Sequence, residues 1–283
     1  MATNVPPIPT PGSEPEVFAT TAAVRSSTYE SILVSIEGRV ARLVLNKPPY
    51  NAMTIKMMQE VTKAIEALHD QHEVRVIVVE ASPECKYFSA GVAVQDATPQ
   101  RAFQMMEAFQ GIFRAMLEIS KPVVTVVNGP AVGAGCELAV FGDMVIATEK
   151  AQFAQPEIRL GVFPPVAAIM LPHLIGPKRA LEMIVTAEPI KPPEALKLGL
   201  VNRVVLEANL KTEVDAILAK ITDQSSAVLE MAKRVMFETM GMTLQQAMKH
   251  SASLYLNQLM DLEDAQEGLM AIVEKRKPVW KNK

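Results

Sequence analysis

Between residues 31 and 205 the hydrophobic positions change period several times, and each change marks a predicted element. Residues 31–37 and 39–45 are β-rich runs on either side of Gly38, which predicts a hairpin. Thr54 then precedes apolar positions at Met57, Met58, Val61, Ile65 and Leu68, the spacing of one helical face behind an N-cap. Residues 74–80, VRVIVVE, are apolar without a helical period and predict a buried strand. A helix is predicted over 99–118, a second buried strand over 122–128, a short helix over 137–141 and a short strand over 144–147. This alternation predicts an α/β domain with ligand loops at strand ends. Beyond Val205 the pattern turns helical, with predicted helices over 209–220, 227–240, 244–260 and 262–275.

Composition narrows the picture. The chain has 283 residues, 49% of them hydrophobic, enough for a sizeable core. Residues 1–28 hold Pro6, Pro7, Pro9, Pro11 and Pro15 among small polar residues, which predicts a disordered tail. That tail lacks the continuous apolar run of a secretory signal and the arginines of a transit peptide. The expected organisation is therefore a tail over 1–28, an α/β core over 29–222 and a helical region over 223–283 that could cover the core or serve as an oligomer interface. Basic and acidic residues nearly cancel, at 28 and 31, which argues against nucleic-acid binding by bulk charge. Cys85 and Cys136 have neither metal spacing nor a disulfide framework, consistent with a reducing cytoplasm. No apolar run is long enough to span a membrane.

Candidate chemistry gathers in residues 128–165. Gly129 to Gly135 is a small-residue turn behind a strand, and residues 88–92, FSAGV, form another. Such turns let backbone N–H groups approach a ligand closely. Val92 could donate from the first turn, and Gly133, Ala134 and Gly135 from the second. Two donors converging on one oxygen would make an oxyanion hole; small residues packed closely for structural reasons are the plain alternative. A dinucleotide loop is excluded because its third glycine position is Leu138, and a phosphate loop because no Gly-Lys-Ser/Thr follows. Glu137 and Glu157 lie among apolar residues, where a carboxyl's pKa rises and suits proton transfer near neutral pH. Singly, each could be a helix cap or an ion-pair partner; beside two donor turns, they suit adding water across a double bond conjugated to a carbonyl. His69 and His72 lack a third metal ligand, so no metal is expected. Ser89 is not in a G-x-S-x-G elbow, and Cys136 sits among core residues, so neither is expected to be a nucleophile.

These motifs together resemble those of the crotonase, or enoyl-CoA hydratase/isomerase, superfamily. The matching stretches are FSAGV at 88–92, NGPAVGAGCELA at 128–139 and AQFAQPE at 151–157. The resemblance runs from about residue 30 to 278. It implies a spiral of ββα units with C-terminal helices, assembled as a homotrimer or dimer of trimers. The implied ligand is an acyl-coenzyme A thioester, with coenzyme A part of the substrate and no separate cofactor. By resemblance, Val92 and Ala134 supply the oxyanion N–H groups, Glu137 helps activate water and Glu157 protonates the α-carbon. Ala90 and Val92 would lie along the bound coenzyme A. Double-bond isomerases of the same fold often keep only one glutamate, and a non-catalytic scaffold or RNA-binding member would need neither. Two departures are visible: Ala93 replaces an aspartate common after the first donor, and Pro165 replaces a glycine eight positions beyond the second glutamate. They place Phe163 and Pro165 in a reshaped substrate pocket. Residues 156–165, 254–256 and 264–269 look most like those of cyclohexa-1,5-diene-1-carbonyl-CoA hydratases, which implies a cyclic dienoyl thioester.

Overall fold

The computed structural model describes residues 29–283; the tail expected over 1–28 lies outside them. The hairpin about Gly38 is present: β1 (Ile32–Glu37) runs antiparallel to β2 (Val40–Leu45). Thr54 caps α1 (Ile55–His69), accepting a hydrogen bond from Met57 N–H. The five apolar α1 positions named above are all buried. The chain continues through β3 (Val76–Ala81), α2 (Ala102–Glu118), β4 (Val123–Val127), β5 (Pro130–Val132) and α3 (Ala134–Phe141). Then come β6 (Met144–Thr148), β7 (Gln152–Ala154), α4 (Ala167–Ile175), α5 (Pro177–Thr186), α6 (Pro192–Leu198) and β8 (Arg203–Val205). Four helices finish the fold: α7 (Leu210–Thr222), α8 (Ser226–Glu238), α9 (Leu244–Asn257) and α10 (Glu263–Val273).

The main sheet has the order β1-β2-β3-β4-β6-β8, and every pairing after the hairpin is parallel. Its central strands β3 and β4 are covered on both faces, so alternate residues enter two different cores. Ile77 and Val79 of β3 face the larger core with α1 and α2. Val76 and Val78 face the smaller one with Val214 and Leu218 of α7.

A second, smaller layer positions the site. β5 pairs in parallel with β7, and single bridges Met53–Val92, Ser89–Ala131 and Phe153–Ile190 extend that layer. After each of β2, β3, β4 and β6 the chain crosses this layer before turning into a helix. That is a spiral of ββα units, and each crossing is short, from a single bridge to three residue pairs.

The sequence pattern gave no element between Thr148 and β8, where the structure has β7 and α4–α6. β7 is only three residues long. Helix α4 has no side-chain cap of its own at Val166; its cap comes from a distant residue, described below.

Candidate active site

The two small-residue turns lie against each other. Ser89 bridges Ala131, and Val132 N–H donates to Ser89 O at 2.9 Å. Gly91, at φ +86°, sits so close to the second turn that a Cβ there would lie 2.8 Å from Val132 O and 3.4 Å from Ala134 N. The absence of a side chain therefore lets the peptide carrying Val92 N–H stand beside Ala134 N.

Peptide planarity then fixes where these N–H groups point. Gly91 O accepts from Met53 N–H at 2.8 Å, and in a trans peptide the N–H opposes the C=O. Val92 N–H consequently points away from Met53. Gly133 O accepts from Glu137 N–H inside α3, so Ala134 N–H points out of the helix start. Neither Val92 N–H nor Ala134 N–H has an acceptor among the described residues. Gly133, which the sequence offered as a third donor, is not one. Its N–H is committed to Ala154 O at 2.8 Å, within the second layer.

Glu137 is 1% exposed. Its Oε1 accepts from Val166 N–H and Ala167 N–H, both at 2.7 Å. The glutamate is thus the cap of α4, and the positive end of that helix faces its carboxylate. Burial still dominates, and the charge of Glu157 adds to it: the Glu137 carboxyl is raised to about 7, against the pull of the two N–H bonds. Glu157 opens a 3-10 turn, Glu157–Leu160, directly after the second layer. Desolvation raises its pKa too. Its Oε2 is buried without a hydrogen-bond partner among the described residues, and its Oε1 lies against the Cα of Gly133.

The remaining sequence candidates separate from this cluster. Ala90 is exposed on the outer side of the first turn, its N–H donating to Tyr50 O at 2.9 Å. Pro165 is half-buried directly before Val166, one peptide from the Glu137 contact. Phe163 stands 67% exposed. Ala93 is buried, and an aspartate does stand nearby: Asp96 accepts from Ile55 N–H at 2.8 Å and pairs with Arg101. Cys136 is fully buried, which pushes its thiol far up and keeps it protonated. Among the described residues no cluster of His, Cys, Asp and Glu has the makings of a metal site.

Sequence reasoning missed two features. One is the α4 N-terminus, for which Pro164 and Pro165 ahead of an apolar run were the available signal. The other is Asn51, fully buried at φ +48°, whose Nδ2 donates to Phe88 O at 3.0 Å. Chemically, the cluster offers two unpartnered N–H donors for one developing oxyanion. It adds two carboxyls whose pKa values are both raised by burial, that of Glu137 to about 7, where it can give or take a proton near neutrality.

Comparisons with known proteins bear on the family and the fold. Residues 35–283 match the family model described as enoyl-CoA hydratase/isomerase. The chain is 35% identical over 249 residues to the mitochondrial enoyl-CoA hydratase domain-containing protein 3 of Xenopus laevis, spanning 86% of this chain and 84% of that one. It is 34% identical over 254 residues to a crotonyl-CoA hydratase of Syntrophomonas wolfei, spanning 88% and 97%. The crystal structure of an enoyl-CoA hydratase from Mycobacterium smegmatis superposes with a TM-score of 0.84 at 32% identity, covering 89% of this chain and 99% of that one.

Proposed function

The chain belongs to the enoyl-CoA hydratase/isomerase family, and on that premise we propose that it is a hydro-lyase adding water to the double bond of an α,β-unsaturated acyl-CoA thioester. The observation that carries the reading is the pair Glu137 and Glu157, both with raised pKa values, next to two uncommitted N–H groups.

The thioester oxygen lies between Val92 N–H and Ala134 N–H. Enolate charge developing on that oxygen is stabilised by roughly 3–4 kcal/mol per well-placed donor. Glu137 in its ionised form takes a proton from water as the water oxygen bonds to the β-carbon. Its Oε1 is held by α4, so Oε2 is the oxygen left to meet the water. Glu157 in its protonated form gives its proton to the α-carbon. One water is consumed, the carbon–carbon double bond becomes single, and the two glutamates exchange protonation states. Their protons redistribute before the next turnover. A value of about 7 for Glu137 leaves both of its forms populated at neutral pH.

The double-bond isomerase is the second reading, because a single glutamate shuttling one proton would suffice for it. The presence of both favours hydration. Oxygen from labelled water appears in the product of a hydratase and not in that of an isomerase.

Within the hydratase reading, a cyclic dienoyl thioester is the narrower substrate. Its support is Pro165 ahead of the Glu137 contact and Ala93 behind the first donor, two positions that would reshape the acyl pocket. Initial rates on a cyclic dienoyl-CoA and on a straight-chain enoyl-CoA decide it: a preference for the straight chain removes the narrower reading and leaves the broader one. The assembly that goes with this function is a homotrimer or dimer of trimers. Exposed apolar side chains on α8–α10, among them Met236, Leu244, Met248, Leu256 and Ile272, supply surface for it, and sedimentation equilibrium tests it.

A further inference from the structure

Ser89 entered as a serine without the surroundings of a nucleophile, and its partners give it another job. It is fully buried. Its Oγ donates to Asn51 O at 2.8 Å and accepts from Gly91 N–H at 3.1 Å. Its carbonyl accepts from Val132 N–H at 2.9 Å. Asn51 holds the other side of the same turn, with Nδ2 donating to Phe88 O and Oδ1 accepting from Lys47 N–H at 2.7 Å. Gly135 completes the fit: a Cβ there would stand 2.5 Å from Ser89 O and 2.6 Å from Ser89 Cβ.

We propose that Ser89 is the positioning residue for both oxyanion donors, its hydroxyl locking the Ala90–Gly91 peptide that leads into Val92 and its backbone and Cβ seating the turn that carries Ala134. This rests on the oxyanion roles assigned above to Val92 and Ala134. Gly91 is held on both sides: its N–H, in the Ala90–Gly91 peptide, donates to the hydroxyl, and its C=O, in the Gly91–Val92 peptide, accepts from Met53 N–H. Both peptides that flank Gly91 are thus held, and this limits the direction of Val92 N–H. The same residue reaches the second turn through the Ala131 bridge, the Val132 hydrogen bond and the Gly135 contact. The spacing between the two donors is thus set through a single side chain and its own peptide. The hydroxyl's proton is committed to a backbone carbonyl, so Ser89 is not available as a nucleophile.

Replacing Ser89 by Ala would leave Asn51 O and Gly91 N–H unpaired in a dry setting, and would free the Ala90–Gly91 peptide to turn and carry Val92 with it. The test compares wild type with S89A and S89C in the full chain. Saturated butyryl-CoA labelled with carbon-13 at the carbonyl serves as an unreactive probe, read by infrared difference spectroscopy. Wild type is expected to lower the bound carbonyl stretch, and S89A to lower it less. In S89A, kcat on the unsaturated thioester should fall roughly 10- to 100-fold with KM little changed, as for a small misplacement of catalytic groups. S89C keeps the side chain's size with a weaker hydrogen-bonding group and should fall between the two. It also carries the test should S89A fail to fold. A variant that melts earlier but keeps the wild-type carbonyl shift and kcat overturns the proposal and makes Ser89 purely structural. Absence of any carbonyl shift in active or inactive wild type would instead count against the oxyanion roles of Val92 and Ala134.

Discussion

Gly133 and Glu157 are in van der Waals contact, and the glycine has no room for anything larger. A Cβ on Gly133 would stand 2.5 Å from Glu157 Oε1. The position also has φ +55°, which favours glycine. The residue that ends the second turn therefore sets where the second carboxylate lies. The turn that carries Ala134 and the Glu157 carboxylate share one boundary.

Gly133→Ala should push the Glu157 carboxylate off its seat. Activity is expected to fall roughly 100-fold, with stability lowered by about 1–3 kcal/mol from the strained backbone. The loss should be coupled to Glu157: in a Glu157→Gln background, Gly133→Ala should add little to the fall in kcat. A full additional loss in that background would contradict the steric account.

Glu137→Gln and Glu157→Gln should each fold normally and each lose hydration by roughly 10²- to 10⁴-fold. The assay follows the absorbance of the conjugated thioester, with circular dichroism confirming the fold. Either variant working at the wild-type rate would remove that glutamate from the mechanism.

Burial of Glu137 should also show in stability. Its folded pKa, about 7, exceeds the ordinary 4.5, so the folded state binds the proton more tightly than the unfolded one. The resulting stabilisation is complete below about pH 4.5 and disappears as pH rises through about 7, a change of roughly 3 kcal/mol. Glu137→Gln lacks this dependence. Urea unfolding at about pH 5 and pH 8 should therefore move the variant's stability relative to wild type upward by roughly 2–3 kcal/mol at the higher pH. A difference that does not change with pH would mean that the carboxyl titrates normally.

Ala134 is the first residue of α3, where proline is tolerated and its missing N–H costs the helix nothing. Ala134→Pro should keep the melting temperature close to wild type while hydration falls roughly 10²- to 10³-fold. Unimpaired hydration would show that the Ala134 N–H holds no oxyanion.

Much of this site could be read in the sequence because its chemistry is local. Glu137 and Glu157 stand out as carboxylates among apolar neighbours, and the turns stand out as runs of small residues behind strands. What escaped depends on partners far along the chain. Helix α4 was not seen because its cap is Glu137, 29 residues before Val166. Ser89 could be read only as a serine that is not a nucleophile, since the acceptor of its hydroxyl, Asn51 O, is 38 residues away. Gly133 N–H looked available because its acceptor belongs to β7, a strand of three residues with too short a pattern to detect. The helices after Val205 were legible because long amphipathic faces carry their own period, and their observed ends lie within three residues of the expected ones.

The central claim is that Glu137 and Glu157 add water across an enoyl thioester held between Val92 and Ala134. Its most direct measurement is mass spectrometry of the product formed from crotonyl-CoA and from a cyclic dienoyl-CoA in water labelled with oxygen-18. One labelled oxygen should enter the product of at least one substrate, at the β-carbon for crotonyl-CoA, and the label should be lost together with activity in Glu137→Gln and Glu157→Gln. A shifted double bond with no label, or no turnover of either thioester, would contradict it.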